Sequence, residues 1–124
     1  MENKKKVLII AEAGVNHNGS LDLAKKLVDI AVEAKADIIK FQTFNTELCI
    51  SKNVEKALYQ KKSTDNDETQ YEMVKKLELS YSEYLEVRNY CLQQGIQFIS
   101  TAFDLPSLDF LSQELNVPFL KIPS

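Results

Sequence analysis

The sequence predicts an α/β fold on a parallel sheet, of which these residues supply about the first four units of a (β/α)8 TIM barrel. Two observations predict it. Four short apolar runs recur along the chain with helical patterns between them, as strands of a sheet covered on both faces do. Each run also stops at a polar or charged residue that a buried strand does not need. Residues 7–11 stop at Glu12, and Ile38-Ile39 runs into Lys40, Gln42 and Thr43. Phe98-Ile99 runs into Ser100-Thr101, and Phe119-Leu120 into Lys121. If the strands are parallel, these residues gather at their carboxyl ends, where α/β proteins present their sites.

Taken in order, residues 1–6 form a polar tail and residues 7–11 a first strand. Residues 12–19 form a polar loop with two glycines. Ser20 is a candidate N-cap for a helix whose Leu21, Ala24, Leu27, Val28, Ala31 and Ala34 recur at three- and four-residue spacing. Residues 37–42 form the second strand, which completes a βαβ unit and implies a parallel pairing. The next connection is long and polar, with a short helix expected at 54–60, and a further helix at 69–77. Ser80 and Glu83 have the form of a capping box. They open a helix with Tyr84, Leu85, Arg88, Cys91 and Leu92 along one face, and Gly95 stands where a left-handed C-terminal residue belongs. Residues 97–100 form the third strand. Asp104, Pro106 and Ser107 start a helix carrying Leu108, Leu111 and Leu115, and residues 119–122 form the fourth strand.

Two parallel architectures fit this order. A flavodoxin-like domain could close at this length, whereas a TIM barrel needs about 250 residues. A parallel strand at 119–122 with nothing after it to cover it would leave an apolar edge open. The expectation is therefore that residues 7–124 are the N-terminal part of a barrel domain.

Composition narrows the function. The 124 residues are 44% hydrophobic and carry a net charge of −3, which argues against electrostatic capture of nucleic acid. The lysine clusters at 4–6, 61–62 and 75–76 read as a solvated tail and polar helix faces. The apolar run after the first cluster is too short for a signal peptide and is interrupted by Glu12, and no run approaches a membrane span. Cys49 and Cys91 lack metal-ligand spacing and read as reduced thiols of a cytoplasmic protein. His17 is the only histidine, so no imidazole metal site can be assembled from these residues.

Lys40 and Lys121 are the leading chemical candidates. Each closes an apolar run, so burial is costly unless an anion compensates it, and a phosphate or carboxylate ligand is a natural partner. The plainer alternative is a rim lysine paired with Glu12 or Asp104. Glu12 is a candidate to orient or move a proton on a polar substrate, or else a rim salt bridge. Asn16-His17-Asn18-Gly19 is either a hydrogen-bonding site loop or an Asx-type turn. Gln42-Thr43 and Ser100-Thr101 extend a polar lip of amide and hydroxyl groups, while the phenylalanines read as core.

Taken together, Ile10-Ala11-Glu12-Ala13-Gly14 with Asn16-His17-Asn18-Gly19, Ile39-Lys40-Phe41-Gln42-Thr43-Phe44, Ser100-Thr101-Ala102-Phe103-Asp104 and Val117-Pro118-Phe119-Leu120-Lys121-Ile122-Pro123-Ser124 resemble the N-acetylneuraminate (sialic acid) synthase family. The resemblance covers nearly all of residues 7–124. It implies a TIM barrel followed by a small antifreeze-like domain, acting as a domain-swapped homodimer. The implied reaction condenses phosphoenolpyruvate with N-acetylmannosamine or a related N-acyl amino sugar, with a divalent metal (Mn2+ or Mg2+). Lys40, Thr101, Lys121 and Ser124 would contact phosphoenolpyruvate, while Glu12 and Gln42 would face the sugar and the reacting centre. The metal ligands would lie beyond residue 124, so this stretch alone is expected to be inactive. Two positions depart from the family pattern, Lys35 where glycine is common and Ala102 where proline is common. The competing readings are a Schiff-base aldolase using Lys40 or Lys121, and a non-catalytic flavodoxin-like binding or signalling domain.

Overall fold

The computed structural model describes residues 6–50 and 69–124. Within them three strands form one parallel sheet in the order β1 (Ile10–Gly14), β2 (Ile38–Thr43), β3 (Gln97–Ala102). The helices are α1 (Leu21–Glu33), α2 (Thr46–Cys49), α3 (Gln70–Lys75), α4 (Tyr81–Gln94) and α5 (Leu105–Asp109). The last continues into a π-helical turn, Phe110–Glu114. The structure thus establishes a parallel α/β sheet; a closed barrel is not formed by the described residues. The helix expected at 54–60 lies outside them.

The capping signals act as the sequence implies. The Ser20 hydroxyl accepts from the Leu23 amide at 3.2 Å, and Ala24, Val28 and Ala31 form the buried stripe of α1. Ser80 and Glu83 exchange two hydrogen bonds, of 3.1 and 2.9 Å, at the start of α4, and Gly95 ends that helix at φ +79°. The buried face of α4 is Tyr84, Val87 and Cys91. Leu85 and Leu92, expected on that face, are exposed instead, because the helix packs only along the narrower stripe that meets α1 and the sheet.

α1 and α4 are also joined by polar contacts, Tyr90 to Asp29 at 2.5 Å and Lys25 to Glu86 at 3.6 Å. Beneath them, Ile39, Phe41 and Phe98 project from one face of the sheet, with Phe41 and Phe98 stacked at 5.6 Å. Leu111 and Leu115 complete this layer, and Arg88 donates to the Leu115 carbonyl at 2.7 Å to close the π-turn. Each large apolar side chain buried here contributes about 1.5–3 kcal/mol.

Two strand expectations are corrected. β1 begins at Ile10, not Val7, and runs through Glu12 to Gly14. The reason is its register with β2. The Ile9 carbonyl already accepts from the amides of Asp37 and Ile38, while the Asp37 carboxylate accepts from the Ile9 amide (2.8 Å) and from Lys6 (2.9 Å). The Lys6 bond, with the Ile9 amide, holds the Asp37 carboxyl below its usual range. Upstream of that staple no strand among the described residues pairs with the chain, and Val7 to Ile10 are 44–76% exposed rather than covered on both faces. The fourth strand, 119–122, does not form; these residues are irregular and exposed. The run is short and flanked by Pro118 and Pro123, which have no amide proton to give a ladder.

Candidate functional site

Strand alternation sorts the polar residues by face. Ile39 and Phe41 turn toward the helices, so Lys40 and Gln42 point to the opposite side. In register, Glu12 pairs with Lys40, and Gln42 with Thr101. Four of the candidates therefore share one face near the carboxyl ends of three adjacent strands.

Lys40 and Glu12 form an ion pair of 2.9 Å, with the lysine side chain 15% exposed and the carboxylate 51%. A register shift between Glu12 and Gly14 turns the chain, and the Gly14 amide donates to Glu12 Oε2 at 3.1 Å. Gly14 takes φ +54°, which favours glycine, and the Gln42 amide nitrogen lies close enough that a methyl group there would sit 3.6 Å from it. One carboxylate oxygen thus meets an ammonium and the other a backbone amide. The rim-pair alternative for Lys40 is therefore realised, and it fixes both charges beside Gln42.

The expected lip loses two members. Thr43 and Ser100 lie on the helix side, fully buried, with their hydroxyls bonded to each other at 2.7 Å. The Asn16–Gly19 stretch forms a turn, with Asn16 exposed. His17 is enclosed rather than at the surface, its ring 6.0 Å from that of Phe41. Its Nδ1 accepts from the Gly19 amide at 2.9 Å, and its Nε2 is buried without a partner among the described residues. Burial pushes the His17 pKa down, and the Glu83 charge opposes that in part.

Lys121 and Ser124 are exposed in the irregular segment, because the strand expected to carry Lys121 does not form. Lys121 lines a cavity of about 370 Å³ with Ala102, Phe103, Asp104 and Leu105, at the end of β3. The structure therefore joins Glu12, Lys40, Gln42 and Thr101, and leaves Lys121 and Ser124 outside that group.

Sequence reasoning missed three groups that hold the loops around the site. Asp104, read as a helix start or a rim partner for a lysine, instead accepts from the Ser107 amide (2.8 Å) and the Asn45 amide (2.7 Å), so it ties the exits of β2 and β3 together. Glu78 accepts from the Thr46 amide and hydroxyl, both at 2.7 Å, and from Lys75 at 3.1 Å. Burial alone would raise the Glu78 pKa; these donors outweigh it and hold it low. Tyr84 donates its hydroxyl to the Gln42 carbonyl. The N-cap pattern at Asp104 was a usable signal, whereas Glu78 and Tyr84 reach partners 32 and 42 positions away.

Both cysteines are free. Burial pushes the Cys91 thiol up to about 12, and burial with the neighbouring Asp104 raises Cys49. Among the described residues no group of three or more His, Cys, Asp or Glu could hold a metal ion, so they do not fit the implied divalent metal. No helix among them is long and apolar enough to cross a membrane.

Fold and site together define an α/β protein that presents a lysine–glutamate pair at the ends of parallel strands. Residues 27–124 match the NeuB family model, and the chain belongs to that family. It is 53% identical to the N,N'-diacetyllegionaminic acid synthase of Campylobacter jejuni, over 97% of this chain and 36% of the relative. It is equally identical to the synthase of that name from Legionella pneumophila, over 94% of this chain and 32% of the relative. The crystal structure of an N-acetylneuraminic acid (sialic acid) synthetase from Leptospira borgpetersenii, in complex with citrate, superposes with a TM-score of 0.75 at 37% identity. The match covers 95% of this chain and 36% of that one. The chain thus spans about a third of the length of the relatives it matches.

Proposed function

We propose that the whole protein condenses phosphoenolpyruvate with an N-acyl amino sugar and water, giving a nonulosonic acid and phosphate. The observation that carries this reading is the Glu12–Lys40 pair, with Gln42 and Thr101 beside it on one face. In the reaction, carbon 3 of phosphoenolpyruvate bonds to the sugar's aldehyde carbon, water adds its oxygen at carbon 2, and phosphate leaves from carbon 2.

Lys40 and Lys121 neutralise the phosphate and carboxylate, and Thr101 and Ser124 add hydroxyl donors to the same substrate. Glu12, oriented by the Gly14 amide, positions the sugar or relays a proton, and Gln42 donates to the sugar. Asn16 and His17 support the adjoining loop. A divalent metal with ligands beyond residue 124, a homodimer and a cytoplasmic setting belong to the same proposal. N-acetylmannosamine is the default acceptor of the resemblance. Two relatives named for N,N'-diacetyllegionaminic acid instead favour a sugar carrying two N-acetyl groups.

The test is phosphate release by the whole protein, given phosphoenolpyruvate, metal and a panel of N-acyl amino sugars. Release that depends on the sugar supports the reading. No release with any sugar, or a borohydride-trapped adduct of a keto acid on Lys40 or Lys121, overturns it in favour of an aldolase or a binding domain.

A further inference from the structure

Behind the site, on the helix side of the sheet, lies a chain of buried hydroxyls with no assigned role. Gln42 stands one residue past the last pair between β1 and β2, Gly14 with Phe41. The Gln42 carbonyl accepts from Tyr84, a fully buried residue of α4. Thr43, which shares that peptide group, bonds through its own hydroxyl to Ser100 of β3 at 2.7 Å. Ser100 directly precedes Thr101, the register partner of Gln42. Two residues on the site face are therefore held from behind by hydrogen bonds of their own backbone or immediate neighbours.

We propose that Tyr84, with Thr43 and Ser100, is a positioning network that sets the place of Gln42 relative to Thr101, and so the fit of the amino sugar. This rests on the reading that Gln42 faces the sugar. The physical reason is that a buried carbonyl deprived of its donor is costly, so its peptide plane turns to find another. A turn of that plane moves the Gln42 side chain, and the reacting geometry tolerates little displacement.

The experiment compares Tyr84→Phe, Gln42→Ala and the double variant in the whole protein, using the N-acyl amino sugar of the panel that turns over fastest. Tyr84→Phe should raise KM for the sugar by about fivefold to tenfold, leave KM for phosphoenolpyruvate within about twofold, and add nothing in the Gln42→Ala background. A rise in both KM values alike, or an additive effect in the double variant, overturns the inference and leaves Tyr84 a packing residue. If Gln42→Ala leaves sugar KM unchanged, the assignment of Gln42 to the sugar fails instead, and with it the step from Tyr84 to the sugar. Hydrogen exchange of the peptide covering 38–44 gives a readout independent of activity. Tyr84→Phe should speed exchange at the end of β2, and unchanged protection overturns the network.

Discussion

Lys40 and Glu12 occupy opposed positions on adjacent parallel strands and close a 2.9 Å ion pair, with the lysine mostly buried and the carboxylate half open to solvent. The asymmetry matters. A pair with one exposed member adds little stability, yet it keeps an ammonium fixed where the strands end. On the proposed function, the pair matters more to ligand charge than to folding.

That difference is testable. Lys40→Met keeps the stem and removes the charge. In the whole protein it should lower phosphate release by about 100-fold or more, while unfolding stability shifts by less than about 1 kcal/mol. Lys121→Ala should likewise abolish release. Steady-state phosphate assays and denaturant melts check both, and near-normal turnover in either variant removes that lysine from the mechanism.

His17 predicts how stability depends on pH. In the folded protein its Nδ1 is an acceptor for Gly19 and its ring is buried, so its pKa lies below the ordinary value. The unfolded chain takes up a proton near pH ~6.5 that the folded one refuses. The contribution is whole above that pH and is lost as the pH falls from it toward the folded value. Urea midpoints measured between about pH 7.5 and 5.5 should therefore fall for the wild type, and fall less for His17→Gln. Equal slopes would remove His17 as the source.

Gly19 marks a close approach between the first loop and the segment before α4. A β-carbon there would lie 2.2 Å from the Lys76 carbonyl oxygen, and the backbone sits at φ +76°. Gly19→Ala should cost roughly 2–4 kcal/mol by denaturant unfolding, because neither the carbonyl nor the left-handed turn can give way cheaply.

Lys35 offers the reverse change. It holds φ +62° in the turn before β2, a conformation that costs a side-chain-bearing residue about 1–2 kcal/mol. Lys35→Gly relieves that strain but raises the entropy of the unfolded chain, which offsets part of the gain. A net gain of about 0.5–1 kcal/mol is expected, read as a higher urea midpoint.

Much of the fold was legible because its signals are local. Ser20, Ser80 with Glu83, and Gly95 act on amides and torsions within a few residues, so cap chemistry alone located α1 and α4. The apolar runs at 38–39 and 98–99 carried β2 and β3 for the same reason. Residues 7–9 and 119–122 read equally apolar but form no strand, since pairing needs a neighbour in register, which periodicity does not report. At the site, chain order put Lys40 and Gln42 on one strand face. That Thr43 and Ser100 turn away to bond each other, and that His17 is enclosed, depends on contacts across elements.

The sequence by itself determined the parallel α/β class, the helix ends, the family resemblance and the polar residues at the strand ends, because each rests on residue type and short spacing. Only the tertiary structure decided that Glu12 takes Lys40 as its partner, that Asp104 and Glu78 clamp the loops, and that Tyr84 holds Gln42 from behind. Those contacts join residues 28 to 59 positions apart and are made by groups whose types recur throughout the chain, so geometry alone selects among them.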